Sequence, residues 1–163
     1  MKKNLLVICL LCTIFTNAQD DSDPKFWDNV HVGGGFGLGF GSDQTTISIA
    51  PSAIYDFGGG FYLGLGGSYL YAKNNDLKSD VFGASMISLY NPFEQFQLSA
   101  EFEQLFVNQK LGINKSNYNY PSLHLGIAYR VGFFAAGLRY DVLYDDNKSI
   151  YTSPFSPIVR FYF

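Results

Sequence analysis

Between Val32 and Gly41 the chain reads VGGGFGLGFG, with glycine at 33, 35, 37, 39 and 41 and Phe36, Leu38 and Phe40 between them. Successive side chains of a strand point to opposite faces, so this segment has one nearly bare face and one bulky apolar face. A nucleotide-cradling loop does not fit: no Gly-x-Gly-x-x-Gly is completed here, and no helix pattern follows. The same period of two recurs in eight segments, at about 29–41, 44–57, 60–73, 79–91, 95–107, 118–131, 133–144 and 151–163. Alternation is weakest in the fourth, whose faces the pattern does not assign. No 3.6-residue period competes with it.

The connections alternate in character. GGG (58–60), NPFE (91–94) and Val131–Gly132 are tight, whereas KNNDLKS (73–79), NQKLGINKSN (108–117) and DDNKS (145–149) are longer and polar. Every strand is expected to be joined to the next by a hairpin. Strands of this length exceed the usual 5–6 residues or so of a sandwich and suit a closed up-and-down barrel, which leaves no open edge. The fold class expected is all-β, an eight-stranded antiparallel barrel over residues 29–163, following a short lead-in at 19–28.

Which face is inside follows from volume and charge. One parity carries Phe36, Phe61, Phe96, Phe102, Phe106, Phe134, Phe155, Phe161 and more rings; the other carries glycine, serine and alanine with Glu101, Glu103, Arg130, Arg139, Asp141 and Arg160. An eight-stranded lumen is only just wide enough for side chains, so the rings would overfill it. The apolar face therefore turns outward to lipid, and the six charged residues form a polar network in the lumen. Aromatic residues gather near both strand ends, as two interfacial girdles would. The composition agrees: 47% hydrophobic and 18% aromatic residues, with 15% charged against roughly 25% in an ordinary soluble domain.

The N-terminus reads as a cleaved secretory signal over residues 1–18: Lys2 and Lys3, the apolar run LLVICLLCTIF, then Thr16-Asn17-Ala18 before Gln19. Both cysteines, Cys9 and Cys12, lie within it, so the exported chain is expected to have no disulfide or thiol chemistry. Its charge would move from −3 to −5, which disfavours nucleic acid as a partner. His31 and His124 share the lumenal parity without metal-ligand spacing and are expected to be hydrogen-bonded lumenal side chains. Glu101 and Glu103 are neighbours on one strand face, and arginines on the same parity make them ion-pair partners before acid–base catalysts. No Ser–His–acid arrangement stands out. No catalytic, cofactor-binding or metal-binding residue is expected.

The C-terminal PIVRFYF resembles the last strand of Gram-negative outer-membrane barrels, in which a terminal aromatic is read by the barrel-assembly machinery; the resemblance gives Phe161 and Phe163 that role. FWDNVHVGGGFGLGFG, PSAIYDF, QLSAEFEQL, LRYDVLYDDNKSIY and VRFYF together resemble a family of small eight-stranded outer-membrane β-barrel proteins, over residues 26–163. Its members often carry the product name alpha-ketoglutarate decarboxylase. A thiamine-diphosphate enzyme of that kind needs Gly-Asp-Gly followed by paired asparagines, and this chain has no Gly-Asp-Gly. The expectation is an outer-membrane barrel with a side-chain-plugged lumen and a structural or adhesion-type role. A narrow channel and a lipid-modifying enzyme are the alternatives. Outer-membrane lipid and the assembly machinery are the expected partners, with an extracellular ligand reachable through 73–79, 108–117 and 145–149.

Overall fold

The computed structural model describes residues 26–40, 44–74, 77–111, 114–151 and 153–163. The signal segment 1–18 and most of the lead-in fall outside these residues, as do the side chains of Leu38 and Phe40 expected to face lipid. Among the described residues a 3-10 turn, Phe26–Asn29, leads into eight strands: β1 Val30–Phe40, β2 Gln44–Asp56, β3 Phe61–Asn74, β4 Leu77–Phe93, β5 Phe96–Leu111, β6 Asn114–Val131, β7 Phe134–Asp141 and β8 Phe155–Tyr162. Each strand pairs antiparallel with the next, and β8 returns to β1 to close the barrel.

Period-two alternation sets which way each strand faces. Val32, Phe36, Ile49, Leu65, Phe82, Met86, Phe102, Leu125 and Leu138 stand exposed on the outer wall. Glu101, Glu103, His124, Asp141 and Arg160 are buried inside. The lumen is not polar throughout. Near the tight turns it is filled by Ile54, Ile87 and Leu89, with Tyr62 and Tyr162 against them. Near the opposite end Leu70, Val81, Leu105, Val107 and Tyr120 fill it, and Ile150 and Tyr151 from the β7–β8 connection pack on top. Serines and charges occupy the level between. This explains the weak alternation of β4. Val81, Ile87 and Leu89 point in while Phe82, Met86 and Tyr90 point out, so both of its faces are apolar.

Two stretches expected to be loops are mostly ladder. Lys73 and Asn74 pair with Lys78 and Leu77, and Asn108 through Leu111 pair with Asn117 through Asn114. Lysine, asparagine and glutamine fall on both parities of the sequence there, so the period of two disappears while backbone pairing continues. The β7–β8 connection errs the other way: β7 ends at Asp141 and β8 starts at Phe155, leaving a longer connection than the sequence pattern implies. The wall is therefore tall at β4–β6, with 17, 16 and 18 residues, and low at β7 and β8, with 8 each.

The low side makes a thin seam. β1 and β2 are in register over eleven residue pairs, β1 and β8 over three: Gly33 with Tyr162, Gly34 with Phe161, Gly35 with Arg160. Glycine is required there by close approach. A Cβ on Gly33 would lie 1.8 Å from the Phe161 carbonyl oxygen, and Gly34 (φ 144°) would put one 2.2 Å from the Ala50 oxygen. The bare face of β1 thus makes room mainly for neighbouring backbone. Of the inward glycines, it is Gly83 on β4 whose missing side chain leaves space for a carboxylate, that of Glu103.

Candidate functional site

The polar level of the lumen is built by register. Across the wall Ile87, Glu101, His124 and Asp141 are successive partners, as are Ser85, Glu103 and Ser122. Because all these positions share the inward parity, their side chains converge on the axis.

Glu101 is the hub. Arg160 donates from Nη2 to Glu101 Oε2 at 2.8 Å, and Arg139 donates from Nη1 to the same oxygen at 3.3 Å. Arg139 also donates from Nε to Ser156 Oγ at 2.9 Å. Both guanidinium groups are thus drawn to one carboxylate, with Arg160 92% buried by side-chain exposure of 8%. Glu103 accepts a hydrogen bond from Ser68 Oγ and lies 3.8 Å from His124 Nε2. Neither ring nitrogen of His124 has a hydrogen-bond partner among the described residues.

Asp141 is buried in the lumen, as its parity implies. It bonds no arginine among the described contacts; its Oδ2 accepts from Ser122 Oγ at 2.7 Å. Its Oδ1 accepts from the amides of Leu123 and Leu143 at 3.1 and 3.0 Å. It ends β7 and anchors the start of the long connection. Arg130 also stands apart. Its Nε donates to the Gly132 carbonyl at 3.0 Å, at the tight turn, well away from Glu101. Parity alone places it correctly inward but says nothing of depth. The lumenal network is therefore Glu101, Arg139, Arg160 and Ser156, beside Glu103, Ser68 and His124 and the Ser122–Asp141 pair. The serines were the missed members, and their signal was the same inward parity.

Ser122, His124 and Asp141 lie close together without forming catalytic wiring. Ser122 is fully buried and its hydroxyl donates straight to Asp141, so no imidazole stands ready to take its proton. His31 sits at the turn end, its Nδ1 3.1 Å from the Phe163 carbonyl. Among the described residues no group of three or more His, Cys, Asp or Glu side chains converges as a metal site.

At the far end the segment 145–149 is an ordered turn. Asp145 Oδ1 accepts from the Asn147 amide at 3.0 Å, and that hydrogen bond, with Lys148 nearby, holds its carboxyl below the usual range. Tyr151 folds back over the lumen mouth, where burial pushes its hydroxyl up to about 12 and keeps it protonated.

Comparison with known protein families, characterised proteins and solved structures finds no match.

Proposed function

We propose that the chain is an outer-membrane β-barrel, exported through residues 1–18, with a side-chain-plugged lumen and a structural or surface-interaction role. The observation that carries this reading is the inversion of the wall. Leu65 (67% exposed), Met86 (60%) and Leu138 (57%) ring the middle of the outside, while the ion pairs lie within. In water that arrangement leaves a continuous apolar belt uncovered; in a bilayer it is the stable one. Aromatic rings border the belt on both sides. Trp27, Phe57, Phe93, Phe133 and Phe163 stand exposed at the turn end, and Phe82, Phe106, Tyr140 and Phe155 toward the other. Girdles at these positions suit the two interfaces, with the tight turns facing the periplasm. Phe161 and Phe163, in the last turn-end residues, are where the assembly machinery would read the chain.

Filling of the lumen at three levels favours a plug over a conducting channel. The surface-interaction role rests on the other end, where the β3–β4 and β5–β6 hairpins rise above the short β7 and β8 as paired ribbons. Such ribbons, with the 145–149 turn, present polar side chains on a rigid support for an extracellular ligand.

The outer wall gives a direct test. Met86 and its register partner Leu65 are mid-strand and face outward. Met86→Arg should destabilise the barrel folded into phosphatidylcholine vesicles by about 2–4 kcal/mol, measured by urea titration. On a water-facing wall the same change would fall within about 0.5 kcal/mol of zero, and that result would remove the membrane reading.

A further inference from the structure

The thin β1–β8 seam joins two cavities of opposite character. Inside, a cavity of about 100 Å³ is lined by Gly35, Gly37, Ser48, Glu101, Arg139 and Arg160. Its boundary also takes in Phe36, Pro157 and Val159, whose positions face the outer wall. The cavity therefore reaches the wall just beyond Gly35, where the register pairs of β1 and β8 end. Outside, a groove of about 510 Å³ runs over the bare backbone of Gly33–Gly35 between Phe36, Ile49 and Phe161. The two share Gly35, Phe36, Ala50 and Pro51.

The inner cavity holds an unfilled polar group. Arg160 Nη2 is taken by Glu101, but Nη1 is buried with no hydrogen-bond partner among the described residues. A buried charged donor left without a protein partner is costly, and an anion satisfies it with a charge-assisted hydrogen bond. The three charged groups on the cavity wall sum to one positive charge, which suits a monoanion. The Glu101 carboxylate opposes a dianion. The space admits a carboxylate and little more, while the outer groove is apolar and lies in the wall that meets lipid.

We propose that this seam is a binding site for a single-chain carboxylate amphiphile. Its carboxylate sits on Arg160 and its alkyl chain leaves between β1 and β8 to lie in the groove over Gly33–Gly35. The ligand enters from the bilayer through the side of the barrel, without passing either lumen end, both of which are packed. This site rests on the membrane reading above.

The test uses the full chain folded into phosphatidylcholine vesicles, with folding checked by the heat-dependent shift of its band on a gel. A diazirine-tagged palmitate and the matching diazirine-tagged alcohol are photolysed in parallel and the adducts mapped. The carboxylate probe should label Ile49, Pro51 and Phe161 roughly tenfold more than the alcohol, as one charge-assisted hydrogen bond implies. Arg160→Gln should abolish that preference. Ile49→Trp fills the groove from the lipid side without touching the lumen, so it should fold normally and lose the labelling. Excess palmitate should compete and excess acetate should not. Equal labelling by both probes, labelling that survives Ile49→Trp, or competition by acetate as strong as by palmitate overturns the site. A chain that never enters the vesicles overturns the membrane reading, and the site with it; a chain that enters and labels indifferently overturns the site alone.

Discussion

Gly33→Ala is expected to prevent barrel closure. The added Cβ would stand 1.8 Å from the Phe161 carbonyl oxygen and 2.8 Å from its carbon. Both are backbone atoms of the strand that completes the barrel, and neither can rotate away. β8 would have to withdraw, and its register pairing with β1 spans only Gly33–Gly35, followed by one further backbone bond from the Phe163 amide to the Val32 carbonyl at 3.1 Å. The cost should exceed the roughly 4–5 kcal/mol that marks an exceptional single substitution. The heat-shifting folded band should be missing after dilution from urea into vesicles. Gly37→Ala is the control: its Cβ would meet only Ser48 Oγ, at 2.6 Å, and that hydroxyl can turn. The control should lose about 1 kcal/mol or less. Gly33→Ala folding as well as the unaltered chain would show that the seam is not where the glycines matter.

Glu101→Ala should be nearly as damaging for an electrostatic reason. It strips the shared partner from Arg139 and Arg160, leaving two buried guanidinium groups competing for what remains. Removing one side of a buried pair costs about 3–5 kcal/mol, because the remaining charge stays desolvated and uncompensated. Replacing Glu101, Arg139 and Arg160 together by Met should recover most of this loss, since no orphaned charge is left. Arg130→Ala, at the turn end, should stay within about 0.5 kcal/mol of zero. Urea midpoints of the four proteins in vesicles read the differences. Equal losses from Glu101→Ala and Arg130→Ala would mean that the lumenal ion pairs carry no special weight.

The contrast between Arg130 and Arg160 shows what a sequence of this kind reveals. Alternation assigns a residue to a face, and it put Glu101, Arg139 and Arg160 on the lumenal one. It does not assign depth, which depends on the register between strands. Arg160 pairs with Gly35 and Ala135, on the strand that closes the barrel, and reaches Glu101. Arg130, across from Ala135 on the opposite side, lies at the level of the tight turn. Asp141 is lumenal as its parity implies, but its partners depend on where its strand ends: it bonds Ser122 and two backbone amides, not an arginine. Strand ends were obscured where chemistry stops alternating, as at Lys73–Leu77 and Asn108–Asn117. The faces of β4 were hidden because Val81, Ile87 and Leu89 make its inner side as apolar as its outer. The glycine run at 33–35 did announce a bare inner face. That its cause is the approach of the β8 and β2 backbones is a fact of closure, which no local pattern carries.

On the membrane reading, the apolar belt from Leu65 to Leu138 meets lipid. Flotation of the full chain with phosphatidylcholine vesicles distinguishes this from a water-facing wall. The chain should float with the vesicles, resist extraction by alkaline carbonate, and run as a compact band that shifts only on boiling. A chain that stays folded and monomeric in water without detergent, and remains behind when the vesicles float, would contradict it.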